Sequence, residues 1–185
     1  GDAAIILHVV LTQSFRIEAP PVPVALVNAA GVNINDYLLA LRQVPEPMLA
    51  AFNAAGWTYR IDFDYISELS KQLNMSCIGA TNYSQKTLYI SEASATLHEF
   101  GHFLDWTRGF PAEYEQLYLA EAQNSGLRDY AKTNAREYFA DCFAYCIIHG
   151  NDSEMMESLR KNAPQTCTYF EELGKGSRSR SIRSK

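Results

Sequence analysis

At 185 residues, with 47% hydrophobic and 20% charged side chains, the chain has the makeup of one folded domain and excludes wholesale disorder. Residues 174–185 carry Lys175, Arg178, Arg180, Arg183 and Lys185 and no acid, so the net charge of −5 leaves 11 basic against 21 acidic residues on the rest. An acidic body repels nucleic acid and favours neutral or basic partners, and no apolar run reaches transmembrane length.

Ile5 to Leu11 reads as a strand and Asn33 to Arg42 as a helix, with Pro20-Pro21-Val22-Pro23 as an extended spacer between them. The apolar run Ala3 to Leu7 has no basic region ahead of it and no cleavage site behind it, so it is not a leader. A short helix is expected at Met48 to Ala55 and an alternating strand at Trp57 to Ile61. Asp62 or Asp64 then caps a helix running through Leu73. Cys77 to Asn82 and Lys86 to Ile90 read as two strands around the turn Asn82 to Gln85. This hairpin is either the edge of a cleft that pairs with an extended peptide or an interior hairpin.

The hairpin leads into His98-Glu99-Phe100-Gly101-His102, an H-E-x-x-H set. Residues four apart share one helix face, so the two imidazoles can ligate one zinc ion while Glu99 reaches the attacking water. Ser91-Glu92-Ala93-Ser94 offers an N-cap and an acidic first turn, and Leu97, Phe100 and Leu104 form a core-facing stripe that the histidines avoid. Gly101 costs about 1 kcal/mol in a helix relative to Ala, which points to close packing at that position.

A catalytic zinc takes three protein ligands, so a third is needed. Asn134 to His149 reads as a second long helix, with Tyr138, Phe139, Phe143, Ile147 and Ile148 apolar and Gly150 as its stop. Glu137 lies in its first turn, and Asp141 is one turn on, placed to accept a hydrogen bond from a ligating histidine. Asn134 with Glu137 also fits a capping box, in which the carboxylate only closes the helix start. Tyr130, just ahead, is placed to donate to a developing oxyanion. Further helices are expected at Ala112 to Asn124, Ser153 to Lys161 and Thr166 to Leu173, and the basic segment 174–185 as a flexible tail.

His98 to His102 with Asp105, followed by Tyr130 to Asp141, resembles the zinc peptidase domain of anthrax lethal factor and its relatives, which include secreted Pro-Pro endopeptidases. In that family a Tyr stands seven residues before the third ligand, a Glu, as Tyr130 stands before Glu137. The likeness runs on through Phe143-Ala144-Tyr145 to Pro164-Gln165-Thr166 and Leu173, covering roughly residues 86 to 174. It implies an α+β, zincin-like fold: a small mixed sheet with an active-site helix and a mainly helical C-terminal half. Residues 1–173 would then form one zinc peptidase domain, α/β over residues 1–90 and helical over residues 91–173. The resemblance further implies Zn2+ on His98, His102 and Glu137, with Glu99 and Tyr130 catalytic and Asp141 and Asp105 orienting the ligands. The expected protein is a secreted, monomeric endopeptidase, its leader absent from this chain, acting on protein or peptide substrates that are Pro-containing or basic. One departure is Arg136, where the Pro-Pro endopeptidases place an acid; it weighs against Pro-Pro specificity.

Two other classes compete. Toxin components contain domains of this fold that have lost the metal residues and only dock onto a carrier, whereas the full zinc set is present here. A carboxylate-bridged di-iron bundle would use Glu99-x-x-His102 but needs a second such pair, which the sequence lacks. Cys142 and Cys146, four apart on one helix, are poorly placed to join each other. Buried thiols are expected for the four cysteines, with one bridge from Cys167 to a helix cysteine left open.

Overall fold

The computed structural model describes residues 22–183, so the strand expected at Ile5 to Leu11 and the start of the proline spacer lie outside the described residues. Four short strands, β1 (Leu26–Asn28), β2 (Thr58–Ile61), β3 (Gly79–Asn82) and β4 (Thr87–Ile90), form one mixed sheet in the order β1-β2-β4-β3. β1, β2 and β4 are parallel, which requires crossovers, while β3 closes an antiparallel hairpin onto β4 and, among the described residues, pairs with no strand along its other edge. The crossovers are helical: α1 (Asn35–Gln43) and α2 (Glu46–Ala54) join β1 to β2, and α3 (Phe63–Leu73) leads away from β2. All four residues of β4 are buried, as a central strand between α3 and the next helix should be.

Local chemistry sets the boundaries. Asp62 caps α3 by accepting from the Tyr65 N–H, and Asn74 ends that helix in the left-handed region at φ 50°. The cap expected from Ser91 is not made. Its hydroxyl instead donates to the Ile78 carbonyl, and a 3-10 turn, Ala93–Ala95, feeds α4 (Thr96–Thr107), so local backbone bonding takes over the role of a side-chain cap.

The second half is helical: α5 (Ala112–Glu121), 3-10 turns at Ala122–Asn124 and Asp129–Lys132, α6 (Ala135–His149), α7 (Ser153–Asn162) and α8 (Pro164–Arg183). α8 continues ten residues beyond Leu173, through the segment expected as a tail. Ile148, expected to pack, is exposed on the last turn of α6.

Aromatic side chains fill the interior. Phe52, Trp57, Phe100 and Phe103 meet between the sheet and α4, while Tyr114, Phe139 and Phe170 meet between α5, α6 and α8. Full burial of each such ring contributes about 1.5–3 kcal/mol. Buried Glu121 accepts from the Gln165 and Thr166 N–H groups and the Thr166 hydroxyl, which pins the start of α8 to the end of α5. No disulfide joins the four cysteines, of which Cys142 and Cys167 are buried.

Candidate metal centre

The site begins with a glycine. A Cβ on Gly101 would lie 2.7 Å from the Ala140 Cα and 2.9 Å from its carbonyl oxygen, so only Gly lets the backbones of α4 and α6 touch here. Gly101 stands between His98 and His102, and Ala140 between Glu137 and Asp141. The crossing therefore sets two i, i+4 pairs face to face.

The His98 Nε2 lies 2.9 Å from the Glu137 Oε2, the His102 Nε2 lies 3.2 Å from the same oxygen, and the two nitrogens are 3.1 Å apart. A tetrahedral zinc with bonds near 2.0–2.1 Å holds its ligand atoms about 3.3 Å apart, so these donors need to spread by only a few tenths of an ångström. Among the described residues, this is the group of His, Cys, Asp and Glu side chains placed to hold a metal. Half of the expected capping box is present: Asn134 accepts from the Glu137 N–H, but the Glu137 carboxylate turns to the histidines.

Charge favours a cation at the meeting point. Burial alone would lower the His98 imidazole, but its hydrogen bonds to Asp141 and Glu137 push it up to about 10. Burial works to raise Glu137, yet His102 and His98 hold it well below the usual carboxylate range. The same carboxylates that favour a charged imidazole would favour a divalent ion at this point. His102 Nδ1 is buried without a hydrogen-bond partner. In the tautomer with hydrogen on Nδ1, the Nε2 lone pair faces the shared point, as a ligand requires.

Asp141 takes the expected position. Its Oδ1 is 2.6 Å from the His98 Nδ1, and Arg128 grips the carboxylate from outside with Nε at 2.6 Å and Nη2 at 2.8 Å. Arg128 also lies 5.1 Å over the Tyr130 ring. Tyr130 sits beside His98, ring centroids 5.9 Å apart, where burial and the charges of Glu137 and Glu99 raise its pKa and keep the phenol a donor. Asp105 departs from expectation. It is buried three residues beyond His102 but makes no hydrogen bond to that ring; desolvation pushes its carboxyl up to about 6, against the opposing charges of His102, Arg136 and Arg108.

Glu99 is 5% exposed and points toward β3, where the Thr81 hydroxyl donates to its Oε2 at 2.6 Å. Gly79 permits this approach, since a Cβ there would lie 3.0 Å from the Glu99 carboxylate. Thr81 and Arg128 were not foreseen from the sequence. Neither falls on a helical repeat with the residue it touches. Thr81, Glu99, His102, Tyr130 and Glu137 line a cleft of 670 Å³ between β3, the end of α3 and the start of α6.

A family model described as anthrax toxin lethal factor, N- and C-terminal domain, matches residues 60–173. The lethal factor of Bacillus anthracis is 28% identical over 90 residues, taking in 43% of this chain and 11% of the relative, so the chain spans a small fraction of that protein's length. The solved Pro-Pro endopeptidase from Paenibacillus alvei shares the fold, with a TM-score of 0.61 and 16% identity over 80% of this chain and 96% of that one.

Proposed function

The chain belongs to the family of anthrax toxin lethal factor N- and C-terminal domains, lethal-factor-like metallopeptidases, and from that premise we propose that it is a zinc-dependent endopeptidase, secreted and related to toxins, that cuts protein or peptide substrates. The observation that carries the proposal is the convergence of His98 Nε2, His102 Nε2 and Glu137 Oε2 on one point, with Glu99 lining the same cleft as His102 and Glu137.

In this reading His98, His102 and Glu137 would hold the metal, which would supply Lewis-acid polarisation and lower the pKa of the attacking water so that it can be deprotonated near neutral pH. An extended substrate pairs its backbone with the outer edge of β3, which no strand covers among the described residues, and this brings one peptide bond over the cleft. Glu99, held by Thr81, takes the proton of the attacking water and delivers it to the leaving nitrogen. The Tyr130 phenol donates to the carbonyl oxygen as negative charge builds there. Asp141, itself fixed by Arg128, orients the His98 ring, while Asp105 acts on His102 through charge alone. The acidic surface favours neutral or basic chains at long range. Among the described residues, no helix is long and apolar enough to cross a membrane.

Glu99→Gln tests the assignment. Peptide hydrolysis should fall by about 10²- to 10⁴-fold with zinc per chain unchanged. Hydrolysis retained in that variant rules out Glu99 as the base. A parent protein that binds zinc yet cuts no peptide in a random library supports the docking-domain alternative instead.

A further inference from the structure

The mechanism leaves Arg136 unused. It precedes Glu137 in the first turn of α6, where a cation opposes the helix dipole, and it lines the cleft together with Glu99 and His102. Its guanidinium lies 3.8 Å over the Phe110 ring and 5.7 Å from the Tyr83 ring. Stacking occupies the faces of the plane and leaves the N–H donors at its edge.

Those donors are open. Among the described residues, Arg136 makes no ion pair and no side-chain hydrogen bond, whereas Arg128 is locked to Asp141 by two. Asp105 feels the charge of Arg136 without pairing to it, and Glu115, exposed on the cleft wall, does not pair with it either. The cleft is also chemically polarised along β3. Leu73, Met75 and Cys77 precede the strand and give one end apolar character, while Tyr83 follows it and stands with Phe110 and Arg136 at the other.

We infer that Arg136 sets the specificity of the cleft by binding a carboxylate of the peptide at the Tyr83 end of β3. The inference rests on the peptidase reading and names the substrate class of that site. A guanidinium stacked on a ring with a free edge is suited to bidentate carboxylate recognition, and a basic side chain at the same place meets an unpaired like charge. The acidic surface acts on approach and over the whole chain, while Arg136 acts at contact distance on one group. The carboxylate belongs to an internal Asp or Glu or to the free C-terminus of the peptide.

The test uses zinc-loaded protein and amidated peptides bearing Asp, Glu, Ala, Gln or Lys at each position, with a matched set that has free C-termini and no internal acid. The parent should prefer an acid over Lys by about 10- to 100-fold at one fixed distance from the cut. Arg136→Glu should reverse that preference, and Arg136→Lys should keep its sign at a smaller ratio. A preference confined to free C-termini assigns the carboxylate to the chain end and still supports the inference. Binding of the same fluorescently labelled peptides to Glu99→Gln protein gives a readout independent of turnover. Acid-selective binding without any cleavage by the parent would overturn the peptidase reading and leave Arg136 standing. Cleavage without acid preference, with the same profile in Arg136→Lys, would overturn the inference and leave the peptidase reading intact.

Discussion

Where α4 meets α6, backbone lies against backbone through Gly101 and Ala140, and the charged side chains on that seam are tied to one another. The opposite wall of the cleft is looser: among the described residues no strand pairs with the outer edge of β3, and Leu73 at the end of α3 and Met75 just beyond it are exposed, 54% and 43%. One wall holds its side chains by backbone contact and ion pairs. The other offers backbone and apolar surface to a chain that arrives from outside. Thr81 joins them, a strand hydroxyl on a helix carboxylate.

That contrast can be broken first on the rigid side. Gly101→Ala should cost about 1–3 kcal/mol, because the new methyl meets backbone that cannot move aside. The cost exceeds the roughly 1 kcal/mol that Ala gains in helix propensity, and zinc affinity should fall with it. Chemical denaturation and metal titration measure both, and a more stable variant would contradict the close crossing.

The link between the walls comes next. Thr81→Val keeps the shape of the side chain and removes the hydroxyl, so hydrolysis should drop about tenfold, in keeping with the loss of one hydrogen bond to a charged group. Zinc content should not change. An unaltered rate would mean that Glu99 is positioned without Thr81.

The smallest effect lies behind the looser wall. Asp62→Ala should cost about 1 kcal/mol through loss of the α3 cap. The Tyr65 N–H holds the Asp62 carboxyl below its usual range, aided by Arg60 and opposed by burial. A depressed folded pKa gives stability that is present above the unfolded value of about 3.9 and is lost as pH falls through the folded one. The difference between parent and variant should therefore be full at neutral pH and close in acid, as followed by thermal unfolding across pH.

The same contrast explains what the sequence discloses. Helical geometry is local, so His98 with His102 and Glu137 with Asp141 are legible from spacing alone, and a glycine between the two histidines already points to close packing there. Contacts of the hairpin and loops obey no such repeat. Thr81 reaches Glu99 across 18 positions and Arg128 reaches Asp141 across 13, and neither pairing has a sequence period to betray it. Asp105 shows the limit from the other side. One turn beyond His102 is the right interval for a contact, yet the structure leaves His102 Nδ1 without a partner. The Ser91 cap failed for a similar reason, since a 3-10 turn intervenes before α4.

The most direct test is zinc affinity in the parent and in Glu137→Ala, measured by competition with a chelator at low free metal. One zinc per parent chain is predicted, with affinity in the variant weakened by more than the roughly 100-fold that loss of an outer-shell partner can cause. Equal affinity in the two proteins would show that Glu137 does not hold the metal and would contradict the site described above.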